Sequence, residues 1–282
     1  MKPIQTQDIE KLRQELLARH DLLMDNFAML KGVSNADHRE MLARLEAADA
    51  QMDQLLALSE PITNQDPRVQ NLYRDVNELR LYFGAPTGRP LEDRGVDYVA
   101  PHVQALRLLF QIDSSIVLYV EMIRTDLALL EYQLAHGQDI SDCLASLGDS
   151  IALCRFRDQF TGLQDSHIFD LAHYLMLIHE LLGPVLLSKR EKALRLPISR
   201  VYLEMAMAFA LFDCSPEDVD ELFCDVFILS MMVQLLTEEP TLSAAQRCYT
   251  TALWLWEYKL LPEQKENVAQ CYIKAKEVLE NA

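Results

Sequence analysis

The chain has 282 residues, 50% of them hydrophobic, with a formal net charge of -17 and a sequence pI near 4.8. That length and apolar content suffice for a packed core and exclude wholesale disorder. So acidic a surface repels phosphate groups, which excludes general nucleic-acid binding and adhesion to anionic lipid.

In chain order, the first stretch is charged and amphipathic from its first turn, so it reads as a helix and not as a leader peptide. Ile9, Leu12, Leu16, Leu23, Phe27 and Leu30 fall at helical spacing and stop at Gly32. Ser34 is placed to cap a second helix, whose stripe is Met41, Leu42, Leu45, Met52, Leu55 and Leu56, ahead of Pro61. Asp66-Pro67 joins a cap residue to a proline at the first helical position and opens a third helix, which ends at Gly84. These narrow-striped helices, residues 1–83, are expected to form a hairpin-like arm. Such an arm buries its stripe against the rest of the chain, a second copy or a partner, so a homo-oligomer through the arm is one expectation.

Residues 84–97 carry Gly84, Gly88 and Gly95 together with Pro86 and Pro90, the composition of a linker or exposed loop. Residues 98–282 are more apolar. One helical pattern covers 102–135 and stops at Gly137; another covers 141–160 before Gly162; a third covers 166–187 with a kink expected at Gly183-Pro184. Ser188 and Glu191 have capping-box spacing, and Pro197 opens a helix over 201–212. Ser215-Pro216-Glu217-Asp218 combines cap, proline and first-turn acids; Ser243 with Gln246 opens a further helix, and Pro262 divides the last two. Segments 201–212 and 226–236 are apolar, but both fall short of the roughly 18 residues that a membrane span takes. The first also carries Glu204. No strand alternation of useful length appears, so the expected fold is all-α: a multi-helix bundle with an N-terminal helical hairpin-like arm.

Cys143, Cys154, Cys214, Cys224, Cys248 and Cys271 form no CxxC and sit near no zinc-finger histidine. They read as reduced thiols buried in a cytoplasmic protein that needs no cofactor.

Four clusters are candidate sites. His173 and Glu180, seven residues apart, share a helical face, with Asp170 about 60° away. Two carboxylates and an imidazole suit a divalent metal or acid–base chemistry, although His179 points elsewhere and the face is expected to be solvated. Asp213, Glu217, Asp218, Asp220, Glu221 and Asp225 are acidic, but their spacing favours helix capping over magnesium binding. Lys189, Arg190, Lys192, Arg195 and Arg200 reverse the local charge and suit an acidic partner segment, or internal pairing with the acidic turn after Asp213. Trp254, Trp256, Tyr249, Tyr258 and Tyr272 concentrate aromatic surface near the C-terminus; Trp254 and Trp256, two apart, must face differently.

No phosphate-cradling glycine loop, nucleophile elbow, HExxH or kinase signature is present. The reading is therefore a non-enzymatic adaptor, scaffold or chaperone-like subunit of a larger assembly, for example a secretion-system adaptor. Its partners would be other proteins, met through Trp254, Trp256, Tyr258, Tyr272 and the basic run. The alternative is a helical, metal-dependent enzyme built on the His173 and Glu180 region.

Overall fold

The structure is a computed structural model that describes residues 38–58, 63, 65–84, 96–188, 192–214, 221–236 and 240–281. Among the described residues there are ten α-helices and no strand. The first sequence-predicted helix, the loop over 85–95 and the Ser215 to Asp218 start signal lie outside them.

The periodicity of the second predicted helix becomes α1 (His38–Leu56), which buries Met41, Leu45, Met52 and Leu55. Leu56 falls off that stripe and is 67% exposed. Asp66 accepts from the Arg68 backbone N–H at 2.8 Å and so caps α2 (Pro67–Gly84). Proline at the first position costs nothing there, because its missing N–H has no helical partner. Both helices pack on α3 (Val96–Ile112), so the described part of the arm buries its stripe against the bundle itself.

The single helix expected over 102–135 is two helices. Asp113-Ser114-Ser115 breaks it, and α4 (Ile116–Ala135) starts afresh. The first orphan N–H of α4, on Ile116, donates to Thr161 O at 3.1 Å, and Thr161 N–H donates back to Ser114 O. A cluster of short polar residues offers the chain a turn that competes with continuing the helix. α4 ends in a Schellman arrangement at Gly137 (φ 62°), where Gln138 N–H bonds to Gln133 O and Gly137 N–H to Leu134 O.

α5 (Ser141–Ala152) tightens into a 3₁₀ turn over Leu153–Gln159 where a continuous helix was expected. α6 (Asp165–Leu187) runs through Gly183-Pro184 uninterrupted. A 3₁₀ turn (Lys192–Leu194) leads into α7 (Arg195–Phe212), which carries Pro197 in its first turn, where a proline needs no N–H acceptor. Then come α8 (Glu221–Leu235), α9 (Leu242–Leu255) and α10 (Pro262–Glu280). The cap of α9 is Thr241, whose hydroxyl accepts from Ala244 N–H at 3.1 Å; Ser243 lies inside the helix.

The helices pack serially: α1 and α2 on α3, α3 on α4, α4 on α5 and α6, α5 on α7, then α7, α8, α9 and α10 on their neighbours. One apolar core runs from Met41 to Ala275. All six cysteines are buried within it with no disulfide between them, and burial pushes the Cys154, Cys214 and Cys248 thiols up to about 12. α6 is the one described helix long and apolar enough to cross a membrane. Its Leu171, Leu175, Ile178 and Leu182 are fully buried, while Asp170, His173 and Glu180 are exposed. That is an amphipathic helix on a core.

An ion cluster ties the arm to the bundle. Glu121 of α4 meets Arg80 of α2 at 2.6 Å and His102 of α3 at 3.3 Å, while His102 Nδ1 lies 3.1 Å from Arg80 O. Burial alone would raise the Glu121 carboxyl, but hydrogen bonds from His102 and Arg80 hold it at about 2. The His102 ring lies over Gly84, where an added Cβ would stand 2.2 Å from its Cε1. Gly84 is thus required by close approach, beyond its expected role as a helix stop.

Two glycines consequently make different demands. Gly137→Ala meets no neighbouring atom and loses only the left-handed preference, about 1 kcal/mol. Gly84→Ala must displace the imidazole from Glu121 and Arg80, and is expected to cost on the order of 3 kcal/mol. Urea unfolding of both variants measures the difference; equal losses would remove the close-approach role.

Candidate functional site

The structure does not bring the metal candidates together. Asp170, His173 and Glu180 lie exposed along α6. His173 and Glu180 are two turns apart, about 10 Å along the axis. Among the described residues no group of three or more His, Cys, Asp or Glu is placed to hold a metal ion. His179 is buried on the opposite side, where its Nδ1 lies 3.1 Å from the Tyr202 hydroxyl.

Of the basic run, Lys189 and Arg190 lie outside the described residues. Lys192 is exposed, and Arg195 donates to Ser188 O at 3.4 Å. Arg200 pairs with Asp149 of α5. Glu217, Asp218 and Asp220 of the acidic turn also lie outside the description. Asp213 caps α7 in the left-handed region at φ 51°, and Asp225 accepts from Gln264 Nε2 at 2.8 Å.

The aromatic group divides. Trp254 is a core residue, 4% exposed, stacked on Phe209 at 5.5 Å and edge-on to Phe227 at 5.1 Å. Its assignment to a partner surface is thereby corrected. Residue 254 of α9 points into the bundle, towards α7 and α8. Tyr258 packs half-buried against it at 5.2 Å. Trp256 faces out, 54% exposed. Tyr272 stacks on Tyr249 at 5.0 Å, across the pair formed by α9 and α10.

Trp256 and Tyr272 meet at a groove of about 360 Å³ between α9 and α10. Ala252, Leu253 and Trp256 wall one side, and Ala269, Tyr272 and Ile273 the other. The alanines keep the floor low, and the i, i+3, i+4 spacing on each helix turns the large side chains towards the seam. Leu253 is 49% exposed and Ile273 55%.

Two polar constellations were not anticipated as sites. Glu204 of α7, 1% exposed, is held by Arg155 at 3.1 Å and by Arg247 at 3.2 Å. The signal was present, since a lone acid in an apolar helix needs a buried partner. The partners themselves come from the 3₁₀ turn and from α9, and no sequence spacing predicts them. The second is Asp126 of α4, fully buried, which accepts from Ser146 Oγ at 2.7 Å and Ser150 Oγ at 2.6 Å. Arg107 of α3 reaches across to Ser146 O at 2.7 Å and to both hydroxyls at 3.1 Å. These groups stitch α3, α4 and α5 around a polar cleft of about 580 Å³.

Against this geometry, no protein-family model matches the chain, and comparison with curated proteins and with solved structures returns no match.

Burial pushes the Asp126 carboxyl up to about 6 from its ordinary 3.8, against the pull of Ser150, Ser146 and Arg107. A raised carboxyl means that the folded state keeps a proton the unfolded chain has released, so stability falls as pH rises towards 6 and stays low above it. Glu121, held low, acts in the opposite sense only below about 4.5. From pH 5 to 7 the protein is expected to lose roughly 1 kcal/mol that Asp126→Asn does not lose, read by urea unfolding at the two pH values. Parallel losses in both proteins would assign the pH dependence elsewhere.

Proposed function

We propose that this protein is a non-enzymatic adaptor or scaffold, a subunit that presents a helical surface to another protein. The observation supporting this reading is the α9–α10 groove. Leu253, Trp256 and Ile273 stand along this seam exposed and contiguous, covered by no other described helix. The occupant that fits is an amphipathic helix of a partner protein, laying i, i+3 and i+4 apolar side chains along the seam. Exposed tryptophan beside a shallow apolar pocket is the composition of a binding hot spot. The dispersal of Asp170, His173 and Glu180 along an exposed face gives the metal-enzyme alternative no comparable support.

Photo-cross-linking in cells from position 253, with the exposed position 158 as control, tests the assignment. A defined partner is expected at 253 alone, captured through a segment with helical apolar spacing. In the Leu253→Asp/Ile273→Asp variant, binding to that partner is expected to weaken at least about 100-fold, while the thermal midpoint moves little. Capture that is equal at both positions, or binding indifferent to the double substitution, would sink the adaptor reading for this groove.

A further inference from the structure

A largely apolar hollow lies beside Arg200. It holds about 410 Å³ between the N-terminal turns of α5, α7 and α9, walled by Leu144 and Ala145, by Leu196 and Pro197, and by Ala244. Of the other polar residues on its wall, Ser141 donates to Asp139, Gln234 Nε2 donates to Leu196 O at 3.1 Å, and Thr241 accepts from Ala244 N–H. Arg200 differs from these. Its side chain is 41% exposed, and among the described residues only its Nη2 is engaged, by Asp149. Nε and Nη1 are left without a protein acceptor at the edge of the pocket.

The charge around Arg200 is the second, independent observation. The whole protein stands at -17, yet among the described residues this spot sums positive. Glu204, one turn along α7, is shared by Arg155 and Arg247, and Arg200 has Asp149, so three guanidiniums stand against two carboxylates. Burial, and after it the charges of Arg200 and Arg155, press the Arg247 guanidinium down against the pull of Glu204. Asp142, on the other side of α5, lines the α3–α5 cleft. Three helices turn their N-terminal ends to the pocket wall, which adds to the positive potential. Water satisfies guanidinium donors but gains nothing from the carbon beside them. A ligand with an anionic head and an apolar body satisfies both. One guanidinium at the wall, with Asp149 against it, suits a monoanion and disfavours a phosphate dianion.

We propose that this pocket binds a small amphiphilic carboxylate, a medium-chain alkyl acid, with its head on the Arg200 guanidinium and its chain along Leu144, Ala145, Leu196 and Ala244. The site uses the start of α9, whereas the α9–α10 groove uses its end, and it does not depend on the function assigned to that groove.

Calorimetric titration of the full chain with decanoate, below the concentration at which it forms micelles, tests the proposal. Acetate supplies the head alone, and decylamine the same chain with the charge reversed. Saturable one-to-one binding of decanoate is expected, with acetate and decylamine each at least about tenfold weaker. Arg200→Gln is expected to weaken decanoate about tenfold or more, as is Ala145→Trp, which fills the pocket from an exposed position. Arg74→Gln, at an exposed arginine of α2, is expected to leave binding unchanged. Asp149→Asn is expected to tighten binding, because it releases Arg200 Nη2 and removes a like charge from beside the head. The Leu253→Asp/Ile273→Asp protein is expected to bind decanoate as the wild type does. Loss there, with Ala145→Trp unaffected, would place the ligand in the α9–α10 groove and overturn the proposal. Absent saturation, equal one-to-one binding of decylamine, equal weakening by Arg74→Gln, or unchanged or weaker binding after Asp149→Asn would overturn it as well.

Discussion

A carboxylate taken out of water inside a helix bundle must meet positive charge, and Glu204 of α7 meets it twice, from Arg155 and Arg247. α7 buries Ile198, Val201, Tyr202, Leu203, Met205, Ala206, Phe209 and Phe212 around the same axis, so it has almost no face to give to solvent. It is in contact with α5, α6, α8 and α9. The 3₁₀ turn after α5 and the first half of α9 are the segments that bring the two guanidiniums to Glu204. Their positions are therefore constrained by one charge as well as by apolar packing. With α9 fixed in this way, Trp254 is carried inward onto Phe209, and Trp256, two residues on, is carried outward.

The same logic recurs at smaller scale along the array. Glu121 joins α2, α3 and α4 through Arg80 and His102, and Asp126 joins α3, α4 and α5 through two serines and Arg107. Apolar burial supplies most of the stabilisation, but it is non-directional and lets helices slide or rotate against one another. Three acids, Asp126 and Glu204 buried and Glu121 partly so, each satisfied from neighbouring elements, remove that freedom.

The two surface features differ in what they ask of a ligand. The α9–α10 groove is lined by carbon and is served by shape and apolar area. The α3–α5 cleft mixes polar side chains, among them Gln104, Arg107 and Asp142, with apolar ones such as Val103 and Leu108. They lie at separate helix sets, so occupation of one imposes nothing direct on the other.

Sequence alone determined the class of the fold and most of its punctuation. Helical spacing without strand alternation, Asp66-Pro67, Gly137, Gly162 and Pro262 each act through local backbone chemistry, which neighbouring residues dictate. It also determined that His173 and Glu180 sit opposite the Leu171, Leu175, Ile178 and Leu182 stripe, because rotation along one helix is fixed at about 100° per residue. The break at Asp113 was legible in its polar cluster but was masked by apolar periodicity running through it. What only the tertiary structure decided is which side chains from different helices meet: Arg155 and Arg247 at Glu204, Ser146 and Ser150 at Asp126, His102 over Gly84, Leu253 across from Ile273. Those encounters depend on helix rotation and crossing, which are set by packing over the whole core and leave no mark in the spacing of residues along the chain.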